Sequence, residues 1–153
     1  MATTVQILGD ELLAEHLRIM QKRAINMRRP LTKFGAVVRR HNRAQWRSKG
    51  LAGGAPWAPL SPKYAAWKVK VVGPKPLMRF SDDLWKSLTR NPMGVQDIGW
   101  QRAEFGTDVE YAEFHQYGTR FMPARPIVTT TPLMEKELGR LVSDHITNVV
   151  KGA

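Results

Sequence analysis

YAEFHQYGTRFMPARPIV, residues 111–128, is the stretch around which the chain is organised. Tyr111, Phe114 and His115 are spaced i, i+3 and i+4, which places their rings on one face of a short helix. Gly118 suits the left-handed position that commonly ends a helix. The stretch therefore predicts one or two helical turns followed by a loop.

Two prolines stiffen the second half of this stretch. Pro123 and Pro126 bias the residues before them to extended geometry. They hold Arg125 as a directed donor, suited to a carboxylate on a neighbouring segment or chain. Spacing alone also fits a loop with one exposed arginine. The β-branched run that follows, residues 127–131, predicts a strand.

The composition is that of a single basic domain. The chain has 153 residues, enough for one domain with a modest core, and a net charge of +11. Residues 1–50 hold 11 Lys or Arg against 3 Asp or Glu, and the rest hold 13 against 10. This asymmetry indicates an acidic partner, which could be nucleic acid, an anionic membrane or an acidic protein surface. Without a bilayer-length apolar run or a signal peptide pattern, we expect a soluble protein that stays where it is made.

Long helices are predicted at both ends of the chain. Apolar residues at helical spacing predict helices over residues 11–27 and 31–48 and from Thr131 towards the C-terminus. Thr131-Pro132 supplies a cap and a first-turn proline for the last helix. We expect the first helix to pack on a core through Leu13, Leu17, Met20, Ala24 and Met27.

The second helix carries a basic face on the side opposite its apolar residues. The face consists of Arg39, Arg40, Arg43 and Arg47. The commoner interpretation of such a face is a solvated surface. The more specific hypothesis is contact with DNA phosphates or with an acidic ring of a partner protein. No helix-turn-helix pattern with base-reading residues accompanies it.

Residues 50–76 predict a long Gly/Pro-rich arm within the domain. They contain nine Gly or Pro among 27 residues, although aromatic residues argue against plain disorder. Ser61 and Pro62 predict a short capped helix through Lys68. We expect the arm to dock on an adjacent subunit, with an aromatic flap over its own core as the alternative. The contact residues would be Trp57, Leu60, Tyr64 and Trp67.

The predicted fold class is α+β. A mostly antiparallel sheet of about four strands would be packed with two N-terminal helices and a C-terminal helix. A short helix over residues 81–88 would be capped by Ser81, and Gly99 would turn one strand into the next. The strands are predicted near residues 5–8, 95–98, 100–107 and 127–131.

The motifs of enzymes and metal sites do not occur in the sequence. The absence of cysteine excludes disulfides and thiolate metal sites, and His16, His41, His115 and His145 form no ligand pair. No G-x-S-x-G motif frames a serine. We therefore predict no enzymatic activity, catalytic residue, metal or cofactor. These absences argue against one alternative class of function, that of a small enzyme or toxin-like module.

Three blocks of sequence carry a family resemblance when they are taken together. They are residues 57–62 (WAPLSP), 77–88 (LMRFSDDLWKSL) and 111–128. In this order they resemble the bacteriophage virion-morphogenesis family of tail-completion and related tail-component proteins. Phe80-Ser81-Asp82 stands where that family usually has a threonine-glycine turn.

The resemblance implies a structural protein of the neck or tail junction, assembled in the host cytoplasm and retained in the virion. It implies a tail-completion or tail-terminator ring, a homohexamer that joins or caps the tail tube for attachment to the head. Its partners would be the tail tube, the head-completion or connector proteins and, at the basic face, packaged DNA. A protein partner ranks first for that face, and a nucleic-acid-binding protein remains the alternative function. The subunit interface would combine the arm with Tyr111, His115, Tyr117 and Arg125.

Overall fold

The computed structural model describes residues 10–152 and has the predicted α+β class. A 3-10 turn occupies Leu51–Gly53. No helix among the described residues has the length and apolar character needed to cross a membrane. The elements in chain order are α1 (Asp10–Ile25), α2 (Arg28–Arg47), α3 (Pro62–Val72), α4 (Asp83–Thr89), β1 (Val95–Ile98), β2 (Ala103–Gly106), α5 (Ala112–Tyr117) and α6 (Pro132–Lys151).

Local sequence signals explain where several helices begin. Thr131 accepts a hydrogen bond from the backbone N–H of Met134 at the start of α6. Ser61 does the same for Tyr64 at the start of α3. Both helices have proline at their first position, so the two predicted caps are confirmed.

The predicted hairpin forms, with a shorter second strand. β1 and β2 pair antiparallel, with Val95 opposite Gly106, and the N–H of Gly99 donates to the carbonyl of Arg102. The hairpin packs on α2, where a Cβ added to Gly35 would lie 2.9 Å from the Phe105 ring. Among the described residues the sheet has two strands rather than four. The strand predicted at residues 5–8 lies outside the described residues.

Residues 127–131 are not a strand, and that prediction is wrong. The N–H groups of Ile127 and Val128 both donate to Oε1 of Gln116, at 2.9 and 3.0 Å. Nε2 of Gln116 donates in turn to the carbonyl of Val128. A side chain of α5 thus takes the hydrogen bonds that a neighbouring strand would have made.

The central core joins residues from distant parts of the chain. Trp46 and Trp57 meet edge to face, with ring centroids 5.3 Å apart, an arrangement that aromatic pairs prefer. Leu84 and Leu88 enter from α4. The buried cluster consists of Trp46, Trp57, Leu84, Leu88, Ala112 and Ile127.

The first helix packs less than predicted. Its C-terminal end lies against α6, where Nε2 of His145 is 3.2 Å from the carbonyl oxygen of Arg23. Residues 11–19 are all exposed, and Leu13 and Leu17 are 58% and 55% accessible. The predicted packing therefore holds only at the C-terminal end, because the contact with α6 does not extend over the apolar face of residues 11–19.

The fourth helix begins later than predicted, and Ser81 does not cap it. The residue before its first turn is Asp82, which has a left-handed backbone with φ +74°. Its carboxylate accepts from Nε of Arg79 at 2.7 Å and from Nζ of Lys75 at 3.3 Å. The hydrogen bond from Arg79 is the main cause of the lowered pKa of Asp82. Glycine is the residue that adopts this left-handed backbone without strain.

Gln116→Ala should lower the free energy of unfolding by about 2 kcal/mol, because two backbone N–H groups lose their acceptor. Urea denaturation followed by tryptophan fluorescence measures the change. Glu113→Ala on the same helix is exposed and serves as the control, with a change within about 0.5 kcal/mol. Equal stability of the two variants would contradict the assigned role of Gln116.

Candidate interaction surface

Arg125 is turned into the protein rather than away from it. Its side chain is 4% exposed. Nε donates to the carbonyl of Ala58 at 2.7 Å, and Nη2 donates to the carbonyl of Pro59 at 3.0 Å. The predicted directed donor exists, but its partners are backbone carbonyls of its own chain instead of a carboxylate. Burial lowers the pKa of Arg125.

The next carbonyl along the chain, that of Pro126, joins two further segments. It accepts from Nε2 of Gln45 at 3.0 Å and from Nε1 of Trp57 at 2.7 Å. Trp57 is 6% exposed and belongs to the core. Trp57 and Arg125, both predicted at a subunit interface, therefore lie inside the subunit.

The segment from 50 to 76 is folded, so the prediction of an extended arm is wrong over much of its length. The backbone N–H of Trp57 donates to the carbonyl of Lys49 at 2.7 Å. Gly50 makes this return possible: its φ is +98°, and an added Cβ would lie 2.6 Å from the Trp57 ring. The alternative interpretation, a flap over its own core, describes residues 51–61 around Trp57, and we call this segment the flap.

Beyond the flap, α3 presents aromatic side chains to solvent. Tyr64 and Trp67 are exposed, and their ring centroids are 5.4 Å apart. Trp67 stacks on Phe80 at 5.9 Å. Beneath them, the buried Lys68 donates from Nζ to the carbonyl of Pro76 at 2.7 Å, and burial lowers the pKa of Lys68.

A groove of about 880 Å³ separates α3 from the second half of residues 111–128. Phe121 stands on it with 92% of its surface exposed. Met78, Phe80 and Phe121 were not predicted as site residues, although Phe80 and Met78 lie in the 77–88 block and Phe121 in the 111–128 block. We call this feature the aromatic groove, and its main apolar residues are Leu60, Tyr64, Met78, Phe80, Tyr111 and Phe121.

His115 also lines the aromatic groove, and its contacts are those of a packing residue. Its ring meets Tyr111 edge to face at 6.0 Å, as the i, i+4 spacing predicted. Burial, followed by the charge of Arg125, lowers the pKa of His115. Nδ1 is buried and has no hydrogen-bond partner among the described residues. The neutral imidazole is thus the form that this environment favours.

Among the described residues, no three side chains of His, Cys, Asp or Glu form a cluster that could hold a metal ion.

The four arginines of α2 do not form one free face. Nη1 of Arg39 donates to Oε1 of Gln96 at 3.4 Å, and Nη2 of Arg43 donates to the carbonyl of Thr89 at 2.7 Å. Arg40, Arg43 and Arg47 are exposed, and Arg39 is partly buried. Half of the predicted basic face therefore also serves to hold α2 against β1 and α4.

A second groove, of about 1140 Å³, lies where the junction of α1 and α2 meets α6. Its cationic side chains come mainly from the ends of α1 and α2. We call it the basic groove, and these side chains are Arg23, Arg28, Arg29, Lys33 and Arg140. Asp144 and His145 of α6 also line it.

Comparison with known proteins gives one match. A family model described as the phage virion morphogenesis family matches residues 9–147. The match includes all three sequence blocks, the whole aromatic groove and the basic groove except for Asn148, Val149 and Gly152. Neither a search of curated proteins nor a search of solved structures found a match.

Arg125→Ala should lower the free energy of unfolding by about 3 kcal/mol, since two carbonyls lose a charged donor. It should also speed proteolysis within residues 51–61, because the flap loses its attachment. Denaturation curves and limited proteolysis measure the two effects. Arg120→Ala, at an exposed position of the same stretch, should leave both unchanged, and a stable, protease-resistant Arg125→Ala protein would contradict the interior role.

Proposed function

We propose that this chain, which belongs to the phage virion morphogenesis family, is a tail-completion protein that acts at the junction of head and tail. Family membership gives it a structural role in phage assembly and an association with the virion. The proposed finer role is a homo-oligomeric ring, six copies in our proposal, that caps or joins the tail tube. Its partners there would be the tail tube and the head-completion or connector proteins.

The observation that supports this role best is the aromatic surface beside residues 111–128. Phe121 and Tyr117 are 92% and 81% exposed. Tyr64 lines the aromatic groove together with Phe121, and the exposed Trp67 lies beside Tyr64. Exposed apolar surface of this kind marks a site of protein association, and aromatic residues are enriched at such interfaces. Leu60, Tyr64, Trp67, Tyr111, His115 and Tyr117 stay in the proposed interface, whereas Trp57 and Arg125 support it from inside.

A ring needs a contact between two different surfaces of the subunit. Head-to-tail contacts of this kind close into a ring when successive rotations return to the start. The aromatic groove and the apolar face of α1 are two such surfaces, and they lie on different elements. A head-to-tail contact between these two surfaces can therefore repeat from one copy to the next.

The test is the state of the purified protein, alone and with tail tubes. We expect closed rings by mass photometry and negative-stain electron microscopy. Replacing both Tyr117 and Phe121 by serine should weaken assembly about 100-fold or more, since two large aromatic contacts are lost, without loss of helical content. Trp100→Ser, at an exposed aromatic position on the hairpin loop, is the control and should still assemble. A protein that stays monomeric in every condition would overturn the proposal.

The basic groove supports a second candidate function, binding of nucleic acid. Its cluster of Arg and Lys could contact phosphates, so the affinity for DNA should fall steeply with the logarithm of salt concentration. Replacing Arg28 and Arg29 together by serine should reduce the slope by about 2, one unit for each lost phosphate contact. Replacing Lys63 and Lys70 instead removes the same charge elsewhere and should preserve the slope. Absence of any gel shift at low salt would exclude this function.

A further inference from the structure

The N-terminal half of α1 has an apolar face that no other described part of the subunit covers. Leu13 and Leu17 are one helical turn apart, and Met20 continues the same stripe towards the end held by α6. A helix of 16 residues is about 24 Å long, so residues 10–19 project by roughly half of that length. Short helices are only marginally stable in water unless their apolar face is packed. The exposed stripe is therefore a surface that requires a partner.

The charge of this helical segment is opposite to that of the protein. Asp10, Glu11 and Glu15 against Arg18 give residues 10–19 a net charge of −2, within a chain of +11. The positive surface of a second copy therefore attracts this negatively charged segment.

The aromatic groove has the matching properties. It is lined mainly by apolar and aromatic side chains, and its charged lining residues are Lys68, Arg79 and Arg125 against one acid, Asp82. The helix α3 also carries Lys63 and Lys70, which do not line the groove, and it has no acidic residue. Lys63 and Lys70 are exposed. An amphipathic helix commonly binds such a groove through apolar anchors at i, i+4 and i+7, which is the spacing of Leu13, Leu17 and Met20.

From this complementarity we propose that the N-terminal half of α1 docks in the aromatic groove of a neighbouring copy of the same chain. Leu13 and Leu17 enter between α3 and Phe121, while Glu15, on the opposite face of α1, stays in solvent. The contact is heterologous and, repeated around an axis, supplies the closure that a ring requires. The inference rests on the proposed ring and specifies which two surfaces form it.

The cysteine-free sequence allows a direct test. Leu13→Cys is made in one batch of protein and Phe121→Cys in another, so only a contact between two copies can link the mixed thiols. A short bismaleimide should give a covalent dimer from this mixture. Leu133→Cys, also at an exposed leucine, replaces Phe121→Cys in the control mixture and should give about tenfold less dimer.

Serine substitution tests the same contact without cross-linking. Replacing both Leu13 and Leu17 by serine should weaken assembly about 100-fold. Circular dichroism of each variant checks that the folded subunit persists.

The outcomes separate the docking proposal from the ring proposal. Rings that form without the Leu13–Phe121 cross-link, or that tolerate the two serines, overturn the docking and leave the ring intact. A cross-link that appears only between α1 and an added tail-tube protein also overturns docking between copies. A monomer under all conditions overturns both proposals.

Discussion

One carbonyl oxygen, that of Pro126, holds together the parts of this subunit that are most distant in sequence. It accepts from Gln45 of α2 and from Trp57 of the flap, while the neighbouring Arg125 binds the two carbonyls that follow Trp57. Buried polar groups are costly unless they are paired. The extended segment around Pro126 can therefore occupy the interior only when α2, α5 and the flap are all in place, and the position of the aromatic groove depends on this arrangement.

The parts of the fold that could be predicted are those fixed by local chemistry. The caps at Ser61 and Thr131 and the turn at Gly99 each depend on residues within a few positions along the chain. Residues 127–131 were mistaken for a strand because β-branched composition describes a preference for extended backbone and does not identify the hydrogen-bond partner. That partner is the side chain of Gln116, which no strand pattern indicates.

For the site, the sequence predicted the correct segments of the chain but not which of their side chains are buried and which are exposed. Aromatic and arginine side chains suit an interface and a core equally well. They become buried when, after folding, a backbone carbonyl is close enough to accept their hydrogen bond. Trp57 and Arg125 find such carbonyls and are buried. Tyr64 and Trp67 stay on the surface, and Phe121, in the same stretch as Arg125, points to solvent. The unpacked half of α1 could not be predicted either, because its periodicity does not say where the contact with α6 ends.

The long-range hydrogen bonds also determine when the subunit can become complete during its synthesis. The donors to the Pro126 carbonyl lie 69 and 81 residues earlier in the chain, and contacts of such separation form slowly because a long loop must close first. Until the ribosome has released Ile127, the indole rings of Trp46 and Trp57 have no finished core to enter. A nascent chain therefore carries exposed tryptophans through most of its translation, and subunits truncated before Pro126 are the form of this protein most prone to aggregate.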